Sequence, residues 1–360
     1  MAKKKRRGLP VVGVVSDMGH SYLKLAGLVN GNWTYDVTPH ALHTMKDKQW
    51  EVVIQRAGSQ SNALDFIQVG QGYYILGDSA ERYGHSTRAM GASRYRRDYI
   101  GVQMISMLSR VCPYPEAELV VMALHPPGDA QYIGDLRKAL KGSWDIRLGN
   151  GDERLYHVRQ VLTVDEPVGG LFNLAITSRG KENVGITSGE TLVLDIGGGT
   201  TSVAPVLPGG SVDYARIKSY SMGILDVTSA LEINLRNHYH EMLRRTRKIP
   251  QDRLRDSLLT GQFQGGGRVV NCADDVQSAK GDLLREIEQM YYNGSVGGPI
   301  PFDTVILTGG GAVPMGEELQ ELLDHKNIQY AAKPKEMHIA NMNGGIKVFT
   351  ELVNEGSITL

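Results

Sequence analysis

The chain has 360 residues, with Lys+Arg and Asp+Glu tied at 39 each for a net charge of zero, and 41% of it is hydrophobic. That is enough apolar material for one or two full cores, and the charge balance excludes a nucleic-acid wrapping protein, which needs a basic excess. Two cysteines, Cys112 and Cys272, exclude a disulfide scaffold and a cysteine-built zinc cluster, and they fit a reducing cytosol.

The start, 1–8, is a basic arm, expected to be disordered. The apolar run behind it, Leu9–Val15, is too short for a signal peptide and meets Ser16 and Asp17 at once. No stretch approaches the length of a membrane span, so no membrane association is expected. Val11–Val15 predicts a strand. Leu23–Val29 and Trp33–Val37 flank Asn30-Gly31 and predict a hairpin with a tight turn. Tyr73–Leu76 reads as a short strand. The apolar spacing of Ile100, Met104, Ile105 and Leu108 predicts a helix over Arg97–Val111, stopping before Pro113. Leu119–Leu124 is a buried strand, Asp129 is placed to cap a helix through Leu140, Tyr156–Val164 is a strand, and Glu166–Thr177 is a helix.

The second half repeats the logic. Strands are expected over Thr191–Ile196, Thr201–Val206, Val212–Lys218 and Thr304–Leu307, with a short one near Tyr330. Helices are expected over Asp226–Arg245, Ala273–Asn293 and Glu317–Asp324, with a last one from Gly345. Each half opens with a strand, an Asp, a glycine turn and a second strand, which predicts two α/β domains of similar build.

Glycine is in excess, 43 of 360, against a usual share of about 7%. The informative ones sit beside Asp and Thr. In Asp195-Ile-Gly197-Gly198-Gly199-Thr200-Thr201 a turn between strands offers several backbone N–H groups to one point, without Cβ interference. Asp195 suits Mg²⁺ held through its water shell; a glycine turn beside a structural Asp is the plainer reading. Asp17-Met-Gly19-His20-Ser21 repeats the device, and Lys24 points back across the hairpin toward a phosphate. His20 is either a donor to that phosphate or an exposed turn residue. Thr308-Gly309-Gly310-Gly311 ends a strand, where bare main chain suits a planar or ribose group. Gly265-Gly266-Gly267 lacks a neighbouring acid and reads as a flexible loop. Glu166, before Pro167, favours the helix dipole or orients a water for attack on a γ-phosphate.

In this order the motifs resemble the actin-type ATPase superfamily. Asp17–Lys24 resembles its first phosphate motif, with His20 where serine is usual, and Asp195–Thr201 resembles the second. Glu166-Pro167 and Ala340–Gly345 resemble the two connecting helices, and Thr308–Ala312 the adenosine motif. Tyr74–Ala80, and Ser221-Met-Gly223 before the Asp226 helix, are similar to segments of the bacterial and archaeal ParM-type filament proteins.

The resemblance implies an α/β actin-like ATPase fold: two related domains, each with a mixed five-stranded sheet, around a nucleotide cleft, with smaller inserted subdomains. Domain I would hold 9–165 and 345–360, with a small variable subdomain at 31–97. Domain II would hold 166–344, with an insert at 219–300. It implies a cytoplasmic, filament-forming hydrolase of ATP or GTP that segregates plasmid or other mobile DNA. The partners would be further copies of the chain and a DNA-binding adaptor, with no sequence-specific DNA contact of its own. Asp17, Asp195 and Glu166 would be catalytic, the two aspartates on the Mg²⁺ side. Gly19, His20, Ser21, Lys24, Gly197–Gly199, Thr200, Thr201, Ser221, Gly223 and Gly309–Gly311 would bind nucleotide. The alternative is a small-molecule kinase of the same superfamily, which needs an Asp poised over a substrate hydroxyl; no clear candidate stands out.

Overall fold

The computed structural model describes residues 8–46, 50–52, 63–82, 91–177, 180–244, 246, 249–292, 302–323 and 327–360. All of the basic arm except Gly8 lies outside them. The chain divides into two compact units, Met1–His125 with Asp129–Asp165 and Gly345–Leu360, and Pro126–Gly128 with Glu166–Gly344.

The first unit is built on one nine-stranded sheet. Its strands are β1 (Val11–Met18), β2 (Tyr22–Val29), β3 (Asn32–Pro39), β4 (Leu42–Met45), β5 (Phe66–Val69), β6 (Gly72–Leu76), β7 (Glu116–His125), β8 (Gly142–Leu148) and β9 (Glu153–Asp165), in the order β3-β2-β1-β7-β9-β8-β5-β6-β4. β1 is buried from Val12 to Met18, as its valine-rich start, Val11–Val15, leads one to expect of a strand covered on both faces. Successive residues face opposite ways. Val12 and Val14 join Leu23 and Leu25 in a core with Ile105 and Leu108 of the helix Val102–Val111. On the other face a Cβ at Gly13 would lie 2.6 Å from the Phe349 ring, so glycine lets the helix Ala340–Asn354 close onto β1. Asn30 and Gly31 have φ of 51° and 78°, the paired left-handed conformation of a two-residue hairpin turn.

The second unit carries β10 (Thr191–Ile196), β11 (Thr201–Val206), β12 (Lys218–Tyr220), β13 (Gln262–Gly265), β14 (Arg268–Asn271), β15 (Thr304–Thr308) and β16 (Ile328–Tyr330). Five of them form a sheet ordered β12-β11-β10-β15-β16, and β13 pairs with β14 alone. In β12-β11-β10-β15-β16 the first two pairings are antiparallel and the last two parallel. The set β3-β2-β1-β7-β9 has the same order and the same directions. The two halves therefore share a topology, and the first unit extends its five-strand set by β8, β5, β6 and β4, all antiparallel. β3 pairs with β2 along its whole length, so the segment 31–97 contributes to that set as well as to the extension.

Local differences from the expected elements have physical causes. Asp129 does not cap a helix: its carboxylate accepts from the Tyr95 hydroxyl at 2.5 Å and from Arg94 Nη1 at 3.4 Å, within the turn Pro127–Tyr132. The strand expected over Val212–Lys218 is broken because Asp213 turns to Arg216 Nε, 2.7 Å away; β12 begins only at Lys218. Gly265–Gly267 is not a flexible loop but the end of the β13–β14 hairpin, with Gly266 and Gly267 at φ 54° and 76°. Gly344 and Gly345 lie inside the last helix, which starts at Ala340. A Cβ on Gly344 would overlap the Gly169 carbonyl oxygen, so glycine permits that helix to touch the helix Glu166–Ala175. Both cysteines are free and buried. Among the described residues no helix is long and apolar enough to cross a membrane.

Candidate functional site

Each unit carries buried polar residues at the carboxyl ends of its central strands, where open α/β sheets bind ligands. In the first unit Asp17 is the penultimate residue of β1 and stands opposite Lys24 of β2. The Lys24 ammonium donates to Asp17 Oδ2 at 2.7 Å and the Gly19 N–H to Oδ1 at 3.1 Å. Lys24, expected on phosphate, is thus ion-paired with the carboxylate expected on the metal side. A Cβ on Gly19 would sit 3.1 Å from the Tyr22 carbonyl oxygen, so the turn is tight. Ser21 is buried, and its hydroxyl has no hydrogen-bond partner among the described residues.

His20 is not an exposed turn residue. It is 9% exposed, and its Nε2 lies 3.3 Å from Nη1 of the fully buried Arg94. Burial first, then the Arg94 and His40 charges, push its pKa down to about 3, so its ring is neutral at physiological pH. His40 donates from Nδ1 to the Gly19 carbonyl at 2.7 Å, the carbonyl being able only to accept. On the next two strands beyond β1, His125 and Asp165 face each other in register at the ends of β7 and β9, 3.5 Å apart. Burial raises the Asp165 pKa against the opposing pull of His125. Arg94, His40 and His125 lie outside the sequence motifs.

In the second unit Asp195, 2% exposed, is the penultimate residue of β10. Its Oδ2 accepts from Asn341 Nδ2 at 3.0 Å, and Asn341 Oδ1 accepts from the Thr308 hydroxyl at 2.7 Å. Thr308 is the register partner of Asp195 on β15. The turn 197–200 closes through the Gly197 N–H and the Thr200 carbonyl, 2.8 Å apart. The N–H groups of Ile224 and Leu225 donate to the carbonyls of Gly197 and Gly198, which docks the helix Ile224–His238 on the turn. A Cβ at Gly223 would lie 2.6 Å from the Gly198 carbonyl oxygen, so Gly223 is there for contact with the turn itself. The Thr201 hydroxyl donates to the Met222 carbonyl at 2.9 Å.

The Gly309–Gly311 stretch divides. Gly309, at φ 83°, and Gly311 are needed because side chains there would overlap Asp195 and Ile196, whereas Gly310 is exposed. Ser221 is also exposed, outside the buried cluster. Glu166 is 5% exposed and opens a helix packed on β10, β11 and β15; a Cβ at Gly170 would come 2.6 Å from the Thr308 methyl. Among the described residues no three His, Cys, Asp or Glu side chains are grouped to hold a metal ion.

No family model matches the sequence, and no curated protein is similar to it. Solved structures do resemble the fold. The apo pSK41 ParM protein superposes with a TM-score of 0.65 at 19% identity, covering 97% of this chain and 99% of its own. An archaeal actin homologue, Ta0583, solved in complex with ADP, gives 0.71 at 17% identity, covering 96% and 99%. Bacillus thuringiensis ParM with AMPPNP gives 0.65 at 12% identity, covering 96% and 99%. The chain is similar to these proteins over nearly its whole length and has the α/β actin-like fold that they share.

Proposed function

We propose that this chain is an actin-like filament-forming protein that binds and hydrolyses ATP or GTP with Mg²⁺. The observation that carries the reading is the repetition of one device on one topology. A buried carboxylate, Asp17 or Asp195, stands at the carboxyl end of each central strand, before a tight glycine turn. The Ser21 hydroxyl, without a partner among the described residues, and turn backbone freed of side chains at Gly197–Gly199, suit phosphate oxygens. Two solved structures of the fold hold ADP and AMPPNP, which supports a nucleotide as the ligand.

In this reading Asp17 and Asp195 hold the Mg²⁺ water shell, and Lys24 and the two turns neutralise phosphate charge. Mg²⁺, when bound, supplies further charge neutralisation at the phosphates. Glu166 orients the attacking water and accepts its proton. Nucleotide state then shifts the population between assembling and disassembling conformations. Segregation of plasmid or other mobile DNA through a DNA-bound adaptor, in the cytoplasm, is the cellular role that the ParM likeness supports. Phosphate release from ATP and from GTP, with Mg²⁺ or with EDTA, tests the enzyme. Turnover that needs Mg²⁺ and falls about a hundredfold in Glu166→Gln is expected. Turnover unchanged by that substitution would move the water-orienting role elsewhere.

A further inference from the structure

The turn residue His20, which stands where the resembled family usually has serine, is held in a single chemical state. The Arg94 guanidinium has no lone pair, so at 3.3 Å its Nη1–H donates and His20 Nε2 accepts. The neutral ring then carries its proton on Nδ1, which makes no hydrogen bond to a described residue. The charged and titratable groups around the ring agree with this state. Arg94 reaches it from the turn Gly91–Tyr95 and His40 from just beyond β3. Asp129 lies behind Arg94, and Asp17 with Lys24 belongs to the hairpin itself. The His40 bond to the Gly19 carbonyl pins the peptide that leads into His20. Arg94 itself is fully buried, shares one Nη1 between His20 and Asp129, and leaves Nε and Nη2 without partners among the described residues. A buried charge so incompletely satisfied is costly for stability alone.

We propose that Arg94 is a positioning residue of the first phosphate turn. It fixes His20 as the Nδ1–H tautomer, so that a neutral imidazole gives a nucleotide phosphate oxygen the donor that a serine hydroxyl otherwise supplies. The inference rests on the nucleotide-binding reading above. A neutral donor of fixed tautomer keeps its proton across the physiological range, and Arg94 keeps a positive charge behind it without touching the ligand.

Nitrogen NMR of the full chain labelled at histidine, combined with ADP–Mg²⁺ titration, tests this. The wild type is expected to show His20 protonated on Nδ1 and bare on Nε2, with the Nδ1 signal moving on ADP addition. Arg94→Met should weaken ADP binding about tenfold in the native background. In an H20S background, where a hydroxyl is the donor, the same change should cost less than about twofold, because Arg94 acts through the ring. A wild-type His20 protonated on Nε2, or an Arg94→Met loss of equal size in both backgrounds, would overturn the proposal. Should Arg94→Met fail to fold, the wild-type tautomer and its response to ADP decide alone. A wild type that binds no nucleotide overturns the reading of the whole site; one that binds ADP with the other tautomer overturns only the role of Arg94.

Discussion

Asp17 and Asp195 are both buried at strand ends, yet their partners differ in kind. Asp17 is matched by a cation directly across the β1–β2 hairpin, whereas Asp195 is held by a neutral relay of Asn341 and Thr308. Asn341→Ala leaves the Asp195 carboxylate and the Thr308 hydroxyl short of a partner. It should cost about 1–3 kcal/mol in urea unfolding and weaken nucleotide binding. Unchanged stability would mean that solvent replaces the amide. His20 adds a pH dependence whose sign is fixed. Its folded pKa, about 3, lies below the ordinary histidine value of 6.5, so the unfolded chain binds the proton first. Its contribution is complete above pH 6.5 and is lost as pH falls toward 3, by about 1.4 kcal/mol per pH unit. The difference in urea midpoint between pH 8 and pH 5 should therefore shrink in His20→Asn; an equal difference would locate the acid sensitivity in other groups. The aspartates and glycines were legible in the sequence because each motif is local. Their partners were not: His40 lies 21 residues from Gly19, Arg94 lies 74 from His20, and Asn341 lies 146 from Asp195. No local spacing marks such pairs.

Among the elements, Gly134 and Gly344, both helical, should respond in opposite directions. Gly134 lies in the helix Ile133–Leu140 with open space where a Cβ would be. Gly134→Ala should therefore stabilise by about 0.5–1 kcal/mol. Gly344→Ala would drive a methyl into the Gly169 carbonyl and should cost about 3 kcal/mol. Thermal melts of the two variants should move apart, and equal shifts would contradict the close helix contact. The same contrast explains what the sequence showed of the elements. Asn30-Gly31 announced its turn because two left-handed residues are needed there. β5, only four residues long, was missed because its stability comes from neighbours far along the chain, whereas β8 alternates cleanly from Trp144 to Leu148 and was legible. Gly265–Gly267 was misread because its strands, only four residues each, gave no period to recognise.

At the scale of the whole molecule, both units use one five-strand arrangement, although the two halves share too little sequence to show it. A core cluster in each unit supports it, and the strand-end aspartates take equivalent places in both. That symmetry, with the solved structures of the same fold, is the ground for the nucleotide-driven polymer reading. If hydrolysis triggers disassembly, Glu166→Ala should assemble normally and then persist, with polymer lifetime measured by light scattering lengthening as turnover falls. A variant whose polymer decays at the wild-type rate would uncouple disassembly from hydrolysis. The most direct measurement is sedimentation of the purified chain at tens of micromolar with ATP or GTP and Mg²⁺, imaged by electron microscopy. Filaments that pellet with triphosphate and Mg²⁺ and vanish with EDTA are the predicted result. A chain that binds nucleotide but stays in the supernatant under every nucleotide would contradict it.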